Sequence, residues 1–421
     1  MIEARDARPL TIQQLAMLDF MEGRVDSYYV MTDVFLIRGH IDIEMLRGAL
    51  GAVLERHEAL RSVFPSDEDY FVVRAFTPAM IDEVFEWRDD IVTVEEALSV
   101  GAADADEPMD LETSLPLRIW LCTTAEGPAV LYVSGHHLVM DGWSFKNLYS
   151  EIASLLHGEQ LRPAVGYSEA AASANSGELK LDSSLFRHEY REVRALHARV
   201  AHRALGPAAH LSVMLEPTLA RLLREVAGQL KVTPYAIGAS CMIRALGQLL
   251  GDEEVIIGSA STGRTSSKAI KAIGYFSTTI FVGGSIAAGS TRDVIAQVAA
   301  QAFAWQSSPR QQWEQLLAAH DAMDLYPVKF SCERSAMASP DIVIPTARVE
   351  RVARDRGDRA RRPLDISVLY AEDEIRLDVT FRTDAVTALE VKELARTFER
   401  HLHDVLTTSI TVPQEISLGA E

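Results

Sequence analysis

The feature that most constrains this chain is an apolar strand that runs directly into a pair of histidines. Ala129-Val130-Leu131-Tyr132-Val133-Ser134 is a continuous β-favouring run, and His136-His137-Leu138-Val139-Met140-Asp141-Gly142 follows it. The run reads as a buried strand that delivers two imidazoles at its end, where loops and ligands meet. After Ser144 a helix is expected, with Leu148, Ile152, Leu155 and Leu156 on one face and Gly158 as its stop.

The same alternation recurs along the chain. Val34-Phe35-Leu36-Ile37 reads as a strand ended by Gly39. Asp42 caps a helix whose Leu46, Ala49, Leu50, Val53 and Leu54 form one buried stripe. That helix runs into the polar stretch Arg56-His57-Glu58-Ala59-Leu60-Arg61-Ser62-Val63-Phe64. From Leu161 to about Gly177 the composition turns to Ala, Ser, Gly and Pro and reads as a linker, with a basic helix from about Ser184 to Leu205. Further on, helices are expected at Thr218–Gly228 and Pro234–Leu250, and a strand at Val255–Ile257. A hairpin follows over Asp365–Tyr370 and Ile375–Phe381, then a closing helix over Leu389–Leu406. Two α/β lobes are expected, over 1–165 and 211–421, with 166–210 as linker and basic helix.

Composition narrows the functional classes. A net charge of -19 argues against a nucleic-acid partner, because phosphate binding rewards clustered Lys and Arg. No run approaches a membrane span and the N-terminus lacks a signal-peptide core, so a cytoplasmic protein without a membrane partner is expected. Cys122, Cys241 and Cys332 are odd in number and scattered, which fits buried thiols.

Imidazole titrates near neutrality, so the double-histidine segment can supply a general base or a donor to an oxyanion. Asp141 can turn back and fix the loop by pairing with a cation. Arg61 is a candidate and Arg56 a weaker one. Gly142 permits an unusual backbone angle or the close approach of a ligand. Adjacent strand residues point to opposite faces, so His136 and His137 are poorly placed to share a metal ion, and none is expected.

The chain resembles the condensation domains of nonribosomal peptide synthetases, within the chloramphenicol-acetyltransferase-like superfamily. Pro9-Leu10-Thr11-Ile12-Gln13-Gln14 is similar to the family's opening Leu-Thr/Ser-x-x-Gln segment. Arg56–Phe64 is similar to its Arg-His-Glu-x-Leu-Arg-x-x-Phe motif, and His136–Ser144 to its H-H-x-x-x-D-G-x-S core. Ile257–Arg264 and Ile273–Thr279 resemble two later segments in the right order. The resemblance implies two acetyltransferase-like lobes arranged in a V, with the active site at their interface. It implies His137 as the catalytic residue, Gly142 approaching the thioester through its backbone, and His136, Asp141 and Arg61 as structural support, with Arg61 holding Asp141. Ser144, Tyr275 and Thr278 become candidate substrate contacts. Thr278 departs from the family's usual Asn, and its mid-chain aromatic-Asp motif is not recognisable between Phe186 and Leu211.

What the resemblance implies chemically is attack of an amine or hydroxyl on an acyl thioester, forming an amide or ester in secondary-metabolite biosynthesis. The absence of a Gly-x-Ser-x-Gly elbow near the histidines agrees with direct transfer. No adenylation signature or Gly-x-Asp-Ser carrier motif occurs, so a freestanding enzyme is expected, with no bound cofactor. A partner acyl or peptidyl carrier protein would supply the phosphopantetheine arm, and the acceptor would be a small molecule or carrier-bound. Arg187, Arg191 and Arg194 on the basic helix, and the seven arginines of Arg348–Arg362, are candidate carrier-docking positions, against a plain reading as solvated charged faces. A coenzyme A-dependent acyltransferase and a catalytically silent recruiting module are the alternatives.

Overall fold

The computed structural model describes residues 6–21, 29–66, 68–175, 206–251, 253–285, 290–307, 328–334, 342–352 and 359–409. In chain order come β1 (Ala7–Pro9), α1 (Ile12–Met21), β2 (Val30–Gly39), α2 (Ile43–Arg56), a 3-10 turn at Glu58–Arg61, β3 (Ser62–Val63) and β4 (Tyr70–Val73). Next are α3 (Met80–Val84), β5 (Phe85–Arg88), α4 (Val94–Asp106), β6 (Leu117–Thr123), β7 (Ala129–His136), α5 (Gly142–Leu156) and α6 (Tyr167–Asn175). Then follow β8 (Gly206–Met214), α7 (Thr218–Leu230), α8 (Pro234–Leu250), β9 (Glu254–Ser261), α9 (Ser267–Lys271), β10 (Thr278–Ser285) and α10 (Thr291–Ser307). The last are β11 (Val328–Arg334), β12 (Ala347–Val352), β13 (Arg359–Ala360), β14 (Leu364–Tyr370), β15 (Ile375–Arg382) and α11 (Ala388–Ser409).

These elements form two α/β units. The first comprises the described parts of Met1–Ser176, Thr262–Ser277 and Pro340–Asp355, and the second the rest. Two stretches expected with the C-terminal block 211–421 therefore fold with the first unit. The reason is apolar: Ala269, Ala272, Ile273, Phe276, Ile342 and Ile344 complete its core, and β12 adds an edge strand to β2 with Val349 opposite Ile37.

The first unit holds a five-stranded sheet in the order β12-β2-β7-β6-β5. Its β7 is buried at every position. Leu131 and Val133 face the core that includes α2 and α5, while Val130 and Tyr132 face a second core with Ala97 and Ala105 of α4. Covering both faces explains why the strand is apolar at successive positions. Asp42 caps α2 by accepting from the Met45 N–H, and the expected stripe from Leu46 to Leu54 is buried. Burying each such side chain contributes about 1.5–3 kcal/mol.

The expected linker contains a helix. In α6, Tyr167, Ala170, Ala171 and Ala174 are buried at helical spacing. Small residues that let this helix pack closely give it the composition of a linker. The expected basic helix, with Arg187, Arg191 and Arg194, and the interval searched for the aromatic-Asp motif fall outside the described residues up to Gly206.

The second unit holds a seven-stranded mixed sheet in the order β10-β9-β11-β14-β15-β8-β13. The expected hairpin is β14 and β15, antiparallel, with Leu364 opposite Phe381. Helix α8 is bounded as its sequence suggests, by the Thr233 side chain accepting from Ala236 N–H, by Pro234 in its first turn, and by Gly251 at φ +71°. All three cysteines are buried free thiols. No helix among the described residues is long and apolar enough to cross a membrane.

Candidate active site

β7 ends at His136, and the chain turns through Leu138–Met140 into α5, whose N-cap is Asp141. Backbone bonds pin the turn on both sides: His136 N–H donates to Pro116 O at 3.0 Å and His137 N–H to Tyr29 O at 2.8 Å. A third tie comes from α1. There Thr11 N–H donates to Gln14 Oε1 and Gln14 N–H to Thr11 Oγ1, a capping box. Gln14 Nε2 then donates to Leu138 O at 3.2 Å. The opening Leu-Thr-x-x-Gln segment thus supports the histidine loop from outside it.

The two imidazoles sit in opposite hydrogen-bonding states. His136 Nδ1 accepts the Leu138 N–H at 3.1 Å. Burial, with a smaller contribution from neighbouring His137, pulls its pKa down to about 4. His136 is a neutral structural group at ordinary pH. His137 Nδ1 lies 2.8 Å from Met140 O. A carbonyl only accepts, so Nδ1 carries the proton and the neutral ring has its lone pair on Nε2. The Tyr275 ring meets His137 edge-on, with centroids 4.9 Å apart. Each ring is engaged separately, and among the described residues no group of three or more His, Cys, Asp and Glu could hold a metal ion.

Asp141 is wholly buried. Its Oδ1 accepts from Ser144 N–H at 2.8 Å, from Ser144 Oγ at 2.9 Å and from Arg264 Nη2 at 2.8 Å. Its Oδ2 accepts from the backbone N–H groups of Phe276 and Ser277 at 3.1 and 3.2 Å. The expected partner Arg61 is elsewhere. Its guanidinium donates to the carbonyls of Leu54, at 2.8 Å, of Glu55 and of Arg74. It closes the turn after α2, where carbonyls left without helical partners need donors.

Arg264 also donates to Ala272 O at 2.8 Å and to Ala269 O, and it stacks over Phe276 with its carbon 4.2 Å from the ring centroid. Burial draws its pKa down and Asp141 opposes that shift. Local pattern does not announce this pairing across 123 residues. The available signal was that Arg264 closes one of the segments similar to the family.

Ser144 is buried in the same cluster. Its hydroxyl lies 2.7 Å from Gly274 O and accepts from Arg264 Nη2 and Gly274 N–H. Its single proton goes to Asp141 or to Gly274, and through these bonds Ser144 supports the loop. Gly142 heads α5 and is exposed. It is not among the positive-φ glycines, and a Cβ built on it would meet nothing within 4 Å. The unusual backbone angle is therefore not required, and open space is what the glycine provides. Thr278 opens β10 in the second unit, opposite Ser261.

The Arg-His-Glu segment forms a different cluster. Arg56 Nε and His57 Nε2 both donate to Glu151 of α5, at 3.1 and 2.8 Å, and Arg56 also reaches Arg162 O at 2.7 Å. Glu58 accepts from Ser168 N–H at the start of α6. Burial pushes the Glu151 carboxyl up, but the hydrogen bonds and charges of His57 and Arg56 outweigh it and hold the pKa below its usual value. Within Arg348–Arg362, Arg351 pairs with Asp33 and stacks over Phe35, and Arg361 is buried. Neither belongs to an open basic face.

A half-buried imidazole whose Nδ1 proton is fixed by a carbonyl, on a strand-to-helix turn of an α/β unit, has the arrangement of a general base or proton shuttle. Residues 5–418 match the family model for the condensation domain. The chain belongs to that family, the amide-forming acyltransferases of nonribosomal peptide synthesis. It is 27% identical over 312 residues to phosphinothricin tripeptide synthetase PhsC of Streptomyces viridochromogenes, covering 69% of this chain and 29% of that protein. The chain thus spans less than a third of that relative's length. Among solved structures it is similar to the condensation domain of the monacolin K polyketide synthase MokA, with TM-score 0.72, 16% identity and 97% and 98% of the two chains covered. It is also similar to the X-domain from teicoplanin biosynthesis, with TM-score 0.74, 18% identity and 97% and 96% covered. Structural likeness at these identities defines the fold, and the reaction must be argued from the site.

Proposed function

We propose that this chain transfers an acyl group from a phosphopantetheine thioester, borne by an acyl or peptidyl carrier protein, to an amine or hydroxyl acceptor. The observation that carries the reading is the hydrogen bond from His137 Nδ1 to Met140 O, which leaves the Nε2 lone pair as the proton acceptor. The acceptor's lone pair attacks the thioester carbonyl carbon and the π electrons move to oxygen. Nε2 takes the proton that the attacking atom sheds. The oxyanion then collapses, the C–S bond breaks, and the departing thiolate takes the proton back from the imidazolium. No covalent acyl-enzyme is formed.

Gly142 serves the same step from the first turn of α5. Its N–H has no intrahelical acceptor by position, and the space above it suits a thioester oxygen approaching the backbone. Asp141, through Arg264 and the 274–277 backbone, holds the loop and does not touch substrate. An α-amine with a pKa of about 8 is already partly deprotonated at neutral pH, so positioning supplies much of its rate. A hydroxyl needs proton removal during attack, worth roughly a hundredfold or more.

The test is mass spectrometry of products from an acyl-carrier donor with amine and alcohol acceptors, using wild type and His137→Ala. The variant should lose about a hundredfold in rate with an alcohol and less with an amine. Unchanged product formation would remove His137 from the mechanism. Transfer from acyl-coenzyme A but from no carrier would overturn the carrier-borne donor.

A further inference from the structure

One buried hydroxyl near the site is used by none of the steps above. Tyr167, at the start of α6, is 1% exposed and lies in the stretch whose composition resembles a linker. Its hydroxyl donates to Tyr275 O at 2.8 Å. That bond uses the phenol's only proton, so Thr11 Oγ1, 2.9 Å away, must donate to the Tyr167 oxygen. Thr11 is also the residue that caps α1 and bonds Gln14. A directed chain therefore runs from Thr11 through Tyr167 to the carbonyl of Tyr275, whose ring meets His137.

The fit of the Tyr167 ring is as specific as its hydrogen bonds. A Cβ built on Gly274 would lie 2.0 Å from Tyr167 Cδ2, so only glycine at 274 lets the ring enter. The ring also meets Phe276 edge-on at 5.3 Å between centroids. Tyr167 thus grips Gly274, Tyr275 and Phe276 in succession. Those residues supply the Gly274 groups on Ser144, the ring on His137 and one N–H on Asp141. Burial raises the phenol's pKa, so it works as a neutral donor.

We propose that Tyr167 is a positioning residue for acyl transfer, setting the orientation of the His137 imidazole through its hydrogen bond to Tyr275 O and its packing in the Gly274 notch. The inference rests on the acyl-transfer reading for its kinetic consequence. Its structural consequence can be read without substrate.

Tyr167→Phe keeps the ring and removes the donor. Its effect should be about a fivefold to tenfold lower kcat, the scale of one lost hydrogen bond, with KM for the carrier-bound donor within about twofold. In the substrate-free protein, nitrogen-15 NMR of the histidine rings should show the His137 signals shifted and the His136 signals in place. Unmoved His137 signals would overturn the proposal, whether or not kcat falls, because the effect would then run by another route. Shifted signals with wild-type kcat would overturn the positioning role in catalysis. If Tyr167→Phe does not fold, Thr11→Val takes its place, and it should shift the same His137 signals and lower kcat about twofold to threefold. Absence of acyl transfer by the wild type would fail the parent reading alone, leaving the NMR result to stand separately.

Discussion

Helix α5 carries a carboxylate-centred cluster at each end, and the two are built differently. At its start, Asp141 is sealed from water and accepts from one guanidinium and three backbone N–H groups, with the Ser144 hydroxyl shared between it and Gly274 O. About three turns on, Glu151 is partly open to solvent and accepts from two side chains, Arg56 and His57. The first cluster fixes loop geometry mostly with neutral dipoles and one ion pair that cancels itself, so it adds little net field at the neighbouring imidazole. The second is a strut between α2 and α5, where solvent can take over from a lost partner. The two clusters thus divide the work of holding the double-histidine turn and holding the helix beneath it.

Arg264→Met tests the sealed end most severely. It strands a buried carboxylate, which should cost about 3–5 kcal/mol in urea denaturation and, through displacement of the loop, about a hundredfold in kcat. His136, just ahead of that cluster, should give the acid side of the stability profile. Its folded pKa of about 4 lies below the ordinary 6.5, so the unfolded chain takes up the proton first. Stability is full above about pH 6.5 and falls toward pH 4 by about 3 kcal/mol; His136→Gln should flatten that window in denaturation curves across pH.

Arg61→Ala should cost about 2 kcal/mol from its lost carbonyl partners while leaving kcat within about twofold. A loss of kcat matching that of Arg264→Met would erase the distinction between the two regions. The smallest effect is expected at the open end, where Glu151→Gln should cost about 1 kcal/mol at neutral pH. Because the folded Glu151 carboxyl lies below its ordinary value, its contribution is present above that value and fades as pH falls through the folded one. Wild type and Glu151→Gln should therefore converge in acid.

Much of this was legible locally. The Asp42 cap, the Leu46–Leu54 stripe, the bounds of α8 and the β14–β15 hairpin follow from periodicity and terminal residues. The position of His137 at the end of a buried strand was legible for the same reason. The Asp141 partner was not, because the candidates Arg61 and Arg56 were drawn from the Arg-His-Glu segment, and only the packing of 262–277 brings Arg264 to the carboxylate. Nor was α6, because the alanines that let it pack closely are also the residues that fill linkers. Of the two readings of Gly142, the unusual backbone angle is not required and the space for a close approach is present, a choice no single residue name encodes.

The placement of Arg264 also sets a schedule. Asp141 leaves the ribosome 123 residues before its cation, on the order of 10 s at about 5–20 residues per second. During that interval the nascent first unit lacks Ala269, Ala272, Ile273 and Phe276 from its core and carries a carboxylate with no guanidinium to meet it. The site is therefore completed only once Arg264 has been made, and the double-histidine turn gains its final geometry after the chain has returned from β9.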